Sequence, residues 1–336
     1  MSRKAFMPAI LRRIAPRLGA RVVLEPEHGF VGAIYFRNGR KSLFWDNKFN
    51  LNPVSSVKIA QDKGYTHFFL EEGGFRVPRE LTVFAPAFQR HVPRRRGLAA
   101  AAQFAKSLGY PVFVKALRRS QGEMVYRATD RAELWSRLRD VFQQDRMAIV
   151  QETCRGRDYR LVVLDGEVIS AYERVPLTIT GDGKQTVRQL LAAKQDRFIK
   201  TGRDTIIPWK DERLLRSLVE QGLTWRSVIP AGKLVPLLEV ANLSLGGDTV
   251  DVTAELHPTV AQLAAAVARH MGLRFAGVDV MMADATRPLG DYRILEVNSA
   301  PGLDHYAYAG RRQRELVDGL YRKVLEAVER GPGDGR

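Results

Sequence analysis

The sequence predicts an α+β protein with mixed or antiparallel sheets, and three observations carry that expectation. Strand-like runs meet mostly as hairpins, helical stripes fall between the hairpins, and no Rossmann order of strands and helices can be traced.

In chain order, residues 3–18 are basic and carry Phe6, Ile10, Leu11, Ile14 and Leu18 near helical spacing. A basic amphipathic helix can be an organelle-targeting or membrane-surface element. Here Pro8 and Pro16 interrupt it and no cleavage pattern follows, so an ordinary surface helix is expected. Residues 22–24 and 33–36 read as short strands, and Asn38-Gly39 turns the second into 42–45. Residues 62–72 form a helix stopped by Gly73-Gly74, and the alanine-rich 98–108 forms another, ended by Gly109. A strand at 111–115, a helix at 131–143 and a strand at 147–151 come next. A hairpin then folds 160–164 onto 167–173 around Asp165-Gly166. Helices at 185–194 and 213–221 precede a strand at 234–240. Val260, Leu263, Ala264, Val267 and Met271 line the core face of a helix ended by Gly272. The strands 275–282 and 292–298 make a second hairpin across a turn holding Pro288 and Gly290, and 311–329 is the last helix.

The composition, 336 residues with 45% hydrophobic and 27% charged, is that of an ordinary soluble enzyme. No apolar run approaches the ~20 residues a membrane span needs. The single cysteine, Cys154, leaves no internal disulfide and fits a reducing cytoplasm; it reads as a small packed residue. The histidines show no zinc-ligand spacing. Residues 1–100 hold 18 Lys/Arg and 7 Asp/Glu, so +11 of the net +16 lies there. That excess reads either as a solvated basic surface or as a match for an anionic substrate or acidic partner. No aromatic-and-basic interleaving supports nucleic acid.

The second hairpin carries the chemistry. A symmetric turn centred between Arg287 and Pro288 sets Asp279 opposite Glu296, with Cβ atoms only ~5 Å apart. Asn298, two residues on, shares the face of Glu296. Facing carboxylates repel, and a pair that is kept invites a cation; these hard oxygen donors suit magnesium. Glu-Val-Asn is a common tripeptide and a strand Asp can face solvent. The turn at residues 299–303, directly after the strand, favours a site. Elsewhere, Lys115 ends a strand on the face of Phe113 and can reach solvent or phosphate oxygens. A polar loop, Arg118-Arg119-Ser120-Gln121-Gly122, follows and could fold over phosphates. Arg160 and Arg174 lie on facing strands of the first hairpin. A lysine, two arginines and a magnesium cluster are together the ingredients for handling a nucleoside triphosphate.

In series, these stretches resemble the ATP-grasp ligases, and within them the ATP-grasp module of the cyanophycin synthetase family. The carrying motifs are 109–115, 150–160, 173–184, Asn242 within 240–247, 253–258, Gly277-Val278-Asp279 and Glu296-Val297-Asn298, in order across about residues 62–310. The resemblance implies two α+β lobes clasping ATP between antiparallel sheets, preceded by a short N-terminal segment. It divides the chain into a basic segment 1–61, an N-lobe 62–150 with the phosphate loop, and a C-lobe 151–330 with the magnesium site. It implies that Lys115, Lys63 and the loop Ser120, Gln121 and Gly122 contact phosphates, and that Glu152 lies in the strand holding adenine and ribose. Asp279, Glu296 and Asn298 would hold two Mg2+ ions, which Mn2+ could replace. Arg160, Arg174 and Asn242 would face the transferred phosphoryl group and the carboxylate substrate. Where the family has a glycine-rich phosphate loop, this chain has Ser120-Gln121-Gly122-Glu123-Met124, with an added carboxylate. The residues after Gly310 are too few for the family's second ligase domain.

The implied activity is an ATP-dependent carboxylate–amine ligase working through an acyl phosphate. Its substrates would be small carboxylates and amines, such as an amino acid or an acidic peptide. The altered loop motivates one alternative, a nucleotide-binding protein without turnover. A kinase-like phosphotransferase is the other. A cytoplasmic location is expected, and a homodimer is the default where oligomers form.

Overall fold

The computed structural model describes residues 6–93, 96–117, 124–203, 205–302 and 311–331. The chain opens with α1 (Phe6–Ile14) and an antiparallel sheet of β1 (Arg21–Leu24), β2 (Val31–Tyr35), β3 (Lys41–Trp45) and β4 (Lys48–Phe49). Helices α2 (Val54–Ala60) and α3 (Lys63–Glu72) lead into a second unit. This contains β5 (Glu80–Phe84), α4 (Leu98–Leu108), β6 (Val112–Ala116), β7 (Val125–Ala128), α5 (Arg131–Phe142) and β8 (Met147–Glu152). Its strands pair in the order β5-β8-β6-β7.

Next come the hairpin β9 (Arg157–Leu164) and β10 (Glu167–Val175), then a small unit of β11 (Thr178–Thr180), α6 (Val187–Thr201), α7 (Glu212–Glu220) and β12 (Leu234–Pro236). β13 (Asp248–Asp251), α8 (Pro258–His270), β14 (Phe275–Met282), β15 (Tyr292–Asn298) and α9 (Arg311–Arg330) complete the chain. The large sheet has the order β13-β10-β9-β14-β15. Every named ladder among the described residues is antiparallel, the second of the two arrangements expected.

Local chemistry explains the boundaries. Asp62 caps α3 by accepting from the backbone N–H of Gly64 at 3.1 Å and Tyr65 at 3.3 Å. Asp165 and Gly166 both take positive φ, 49° and 85°, as a tight right-twisting hairpin turn needs. The helix expected at 185–194 runs on to Thr201, because Phe198 is buried and Gly202 (φ 78°) supplies the stop. The strand expected at 234–240 ends at Pro236. Beyond it, the N–H groups of Leu237 and Leu238 both turn to the Leu177 carbonyl. Helix α1 is amphipathic, and it packs inward: Ile10, Leu11 and Ile14 are buried in one core with β2 and α9, while Arg13 pairs with Asp318.

Alternation along the large sheet positions the site. On β9, Tyr159, Leu161 and Val163 face the core beneath α8, whereas Asp158, Arg160, Val162 and Leu164 face the other way. Val162 and Leu164 are covered by α1, β2 and α9. Asp158 and Arg160 lie past that cover, and charged side chains collect there. Among the described residues no helix is long and apolar enough to cross a membrane.

Candidate active site

Asp279 is the hub of this charged end. Register sets it opposite Arg160 on β9 and opposite Glu296 on β15. Arg160 grips its carboxylate bidentately, through Nε and through Nη2 at 2.7 Å, and Arg174 Nη2 reaches its Oδ2 at 2.9 Å. Arg174 also donates to Asp158 Oδ1 at 2.7 Å. Burial works to raise the Asp279 pKa, but the two guanidinium groups outweigh it and hold the carboxyl below its usual range. Asp158 goes the other way. Burial, aided by the charge of Asp279, raises it despite Arg174.

Gly277 makes the arginine fit possible. A Cβ there would lie 3.0 Å from Arg160 Cδ and 3.0 Å from Pro301 Cβ, so the guanidinium passes where a side chain would stand. Asn298, with its amide turned to satisfy both neighbours, donates to Glu296 Oε1 at 3.2 Å and accepts from Arg160 Nη2 at 3.1 Å. Glu296 in turn lies 3.7 Å from Lys63 Nζ.

Asp279, Glu296 and Asn298 therefore share one face. No group of three His, Cys, Asp or Glu able to hold a metal occurs among the described residues. Two carboxylates and an amide oxygen nevertheless fit magnesium. That ion is held typically by one or two carboxylates plus substrate phosphates, rather than by an all-protein cage.

Lys115 approaches from the other sheet. It is half-buried, donates to Gln151 Oε1 at 2.5 Å, and feels both Lys63 and Glu296. Burial first, and then the charge of Lys63, lower its pKa. Lys63, Lys115, Glu296, Asn298, Asp279, Arg160 and Arg174 thus form one connected neighbourhood.

Glu152 ends β8 with its carboxylate on Arg79 Nε at 2.7 Å and Arg293 Nε at 3.5 Å. Burial pushes its pKa up, but the Arg79 backbone N–H and the two guanidinium groups bring it below the ordinary value. Cys154 is half-buried, and burial with the charge of Glu152 pushes its thiol up to about 11, as suits a packed residue rather than a nucleophile.

Asn242 is placed differently from the rest. Its side-chain oxygen accepts from Ser244 N–H at 2.8 Å, capping a short 3-10 turn. Its backbone reaches the end of β10 beside Gly247, where a Cβ would meet Val175 O at 2.6 Å and Asn242 O at 2.9 Å. No described contact joins its side chain to the arginine–carboxylate network. Ser120, Gln121 and Gly122 lie outside the described residues.

Four polar residues of this neighbourhood escaped the sequence reading: Asp158, His67, Glu80 and Gln151. Asp158 and Gln151 stand inside recognised motifs, and strand alternation was the available signal. Glu80 sits on β5, a short strand behind Pro78 and Arg79 whose pairing with β8 only the tertiary fold supplies.

Known proteins resemble this chain. The family described as D-ala D-ala ligase C-terminus matches residues 82–182, and the RimK-like ATP-grasp domain matches 240–312. A cyanophycin synthetase of Nostoc sp. is 34% identical over 258 residues, which is 74% of this chain and 27% of that protein. The glutathione biosynthesis bifunctional protein GshAB of Enterococcus faecalis is 31% identical over 284 residues, 81% of this chain and 36% of that protein. The chain thus spans about a third of the length of the curated relatives it matches. The crystal structure of a bifunctional glutathione synthetase from Pasteurella multocida superimposes with a TM-score of 0.61 at 22% identity. The match covers 94% of this chain and 44% of that one, a likeness of fold.

Proposed function

The chain belongs to the ATP-grasp superfamily, and from that membership we propose that it is an ATP-dependent carboxylate–amine ligase. A substrate carboxylate oxygen attacks the γ-phosphorus of ATP, the bond to the β-phosphate oxygen breaks, and an acyl phosphate and ADP result. An amine then adds to the acyl carbon. The tetrahedral oxyanion collapses with loss of phosphate, the nitrogen gives up a proton, and an amide remains. Little covalent chemistry is asked of the protein; positioning and charge neutralisation supply the rate.

In this scheme Lys63 and Lys115 gather the phosphate charge, and Arg160 and Arg174 face the transferred group and the carboxylate. Asp279 and Asp158 hold those two guanidinium groups in place before substrate arrives, so little reorganisation is left for the reaction itself. Asp279, Glu296 and Asn298 would hold two magnesium ions, whose part is to neutralise the oxygens of the β- and γ-phosphates. Glu152 belongs to the segment beside adenine and ribose. Asn242, at the end of β10, would meet the substrate carboxylate, and the loop with Ser120, Gln121 and Gly122 would cover the phosphates.

One observation carries the proposal. Oxygen donors on one sheet face meet lysines arriving from two other elements, the composition a magnesium–triphosphate needs. The carboxylate is an amino acid or a short acidic peptide, in keeping with the basic charge of the first 100 residues. Cytoplasmic residence follows from the need for ATP and fits the single cysteine.

The test is ADP release with magnesium-ATP and a mixed amino-acid pool, with products identified by mass spectrometry. An amide product formed in step with ADP is expected, and Mn2+ should substitute for Mg2+. A released phosphorylated compound without amide, or binding of nucleotide without ADP, would overturn the assignment.

A further inference from the structure

His67 has no part in the scheme above, yet it is 3% exposed and stands between the two halves of the site. The bulge in the β14–β15 ladder explains why. Asp279 pairs with Glu296 but the next residue, Val280, pairs with Ile294, so Leu295 is the extra residue of the bulge. β15 is also the edge strand of its sheet. The Leu295 carbonyl, on a half-buried residue, therefore has no strand on its far side to accept from and turns to a side-chain donor. His67 Nε2 supplies it at 3.1 Å, and just before it the N–H of Ile294 donates to Arg76 O at 2.9 Å.

Lys63 stands four residues earlier on α3, on the same helix face. Helix α3 therefore touches two successive residues of β15: His67 on the Leu295 carbonyl and Lys63 on the Glu296 carboxylate. The other side of the His67 ring faces β5 and β8. Nδ1 is 2.9 Å from Glu80 Oε2 but out of line for a directed hydrogen bond, so this step is a close packing contact. From Glu80 the connection is hydrogen-bonded throughout. Gln151 Nε2 donates to Glu80 Oε2 at 2.8 Å, and Lys115 Nζ donates to Gln151 Oε1 at 2.5 Å. Glu80 and Gln151 are direct register partners on β5 and β8, so this stretch is as rigid as the sheet.

We propose that His67 is a positioning residue that sets the two phosphate-facing lysines against the metal-holding strand, by gripping the bulge carbonyl beside Glu296 and bracing Lys115 through Glu80 and Gln151. The proposal rests on the ligase reading, because it assigns the lysines to a bound triphosphate. A helix clamp with no bearing on the ligand would only lower melting temperature. A positioning role changes nucleotide affinity and couples residues that do not touch.

The experiment is calorimetric titration of magnesium-ATP into the full chain and into His67→Leu, His67→Gln, Gln151→Leu and the double variant His67→Leu/Gln151→Leu. Loss of the carbonyl grip and the brace should weaken binding ~10-fold in His67→Leu, as losing one hydrogen bond away from water would. His67→Gln, which keeps a donor for the Leu295 carbonyl, should bind within ~3-fold of wild type. The double variant should lose less than the product of the two single losses, because both break one chain of contacts. Wild-type affinity in His67→Leu, or independent losses in the double variant, would overturn the proposal. Should His67→Leu fail to fold, His67→Ala with Gln151→Leu tests the same coupling and the same non-additivity. Failure of the wild-type chain to bind magnesium-ATP at all would instead remove the ligase reading beneath it.

Discussion

Replacing Asp279 by Asn removes one negative charge and almost no volume from a buried position on which two half-buried guanidinium groups depend. Three charge-assisted contacts converge on that carboxylate, two from Arg160 and one from Arg174. Removing one member of a buried ion pair costs about 3–5 kcal/mol, because the partner is left buried without compensation. Some of this returns here: Asp158, raised partly by the charge of Asp279, ionises more easily once that charge is gone and can still balance Arg174. The lower end, about 3 kcal/mol, is therefore expected, or roughly 4 °C in melting temperature for a chain of 336 residues.

Acid should erase the difference. The folded pKa of Asp279 is lowered, so its stabilisation is fully present above the unfolded value near ~3.9 and is lost as pH falls through the lower folded value. Urea denaturation of wild type and Asp279→Asn without nucleotide, at pH 7 and again below about pH 4, gives both numbers, and ADP release should be abolished in the variant. A loss under about 1 kcal/mol at pH 7, far below what breaking a buried ion pair costs, would show that neither arginine depends on Asp279. A gap unchanged by acidification would show that its charge is not what matters.

Lys115→Met should weaken magnesium-ATP binding by roughly 10–100-fold, the worth of a charge-assisted hydrogen bond or two, in the same titration. The empty protein should respond oppositely. The folded pKa of Lys115 is lowered by burial, so its charge costs stability at neutral pH and the cost fades as pH rises towards ~10.4. The variant should melt higher than wild type at pH 7, with the gap closing in alkali. Gly277→Ala drives a methyl against Arg160 Cδ and Pro301 Cβ, both 3.0 Å away. Turnover should fall at least ~10-fold through misplacement of the guanidinium, while stability drops by only about 1–3 kcal/mol. If the basic first 100 residues draw in an anionic substrate, its KM should rise between about 50 and 500 mM salt as the Debye length shrinks. A salt-independent KM would assign that charge to solvation alone.

The hairpin face carrying Asp279 and Glu296 was legible because a hairpin is a local object. Its turn lies between its strands, so Asp279 opposite Glu296 could be placed by counting, and the ladder has that register on the site side of the bulge. Helices α3, α4, α5 and α8 were legible for a similar reason: caps, glycine stops and apolar stripes are encoded within a few residues. The short strands β5, β11 and β13 were not, because each holds its place through partners far away in the chain, and β7 pairs locally with β6 but is only four residues long.

By itself the sequence determined the residue types on the β14–β15 hairpin, the strand-end lysine and the hairpin arginines, and hence the proposal of a chemistry of hard cations and phosphates. Only the tertiary structure decided how that charge is balanced. Arg160 and Arg174 turn inward onto Asp279, Lys63 comes to Glu296 from a helix more than two hundred residues earlier in the chain, and His67 links a bulge to the opposite sheet. Spacing along a chain reports the neighbours of a residue within one element. Which elements lie face to face depends on burying their apolar sides together, and that is settled by the whole chain at once.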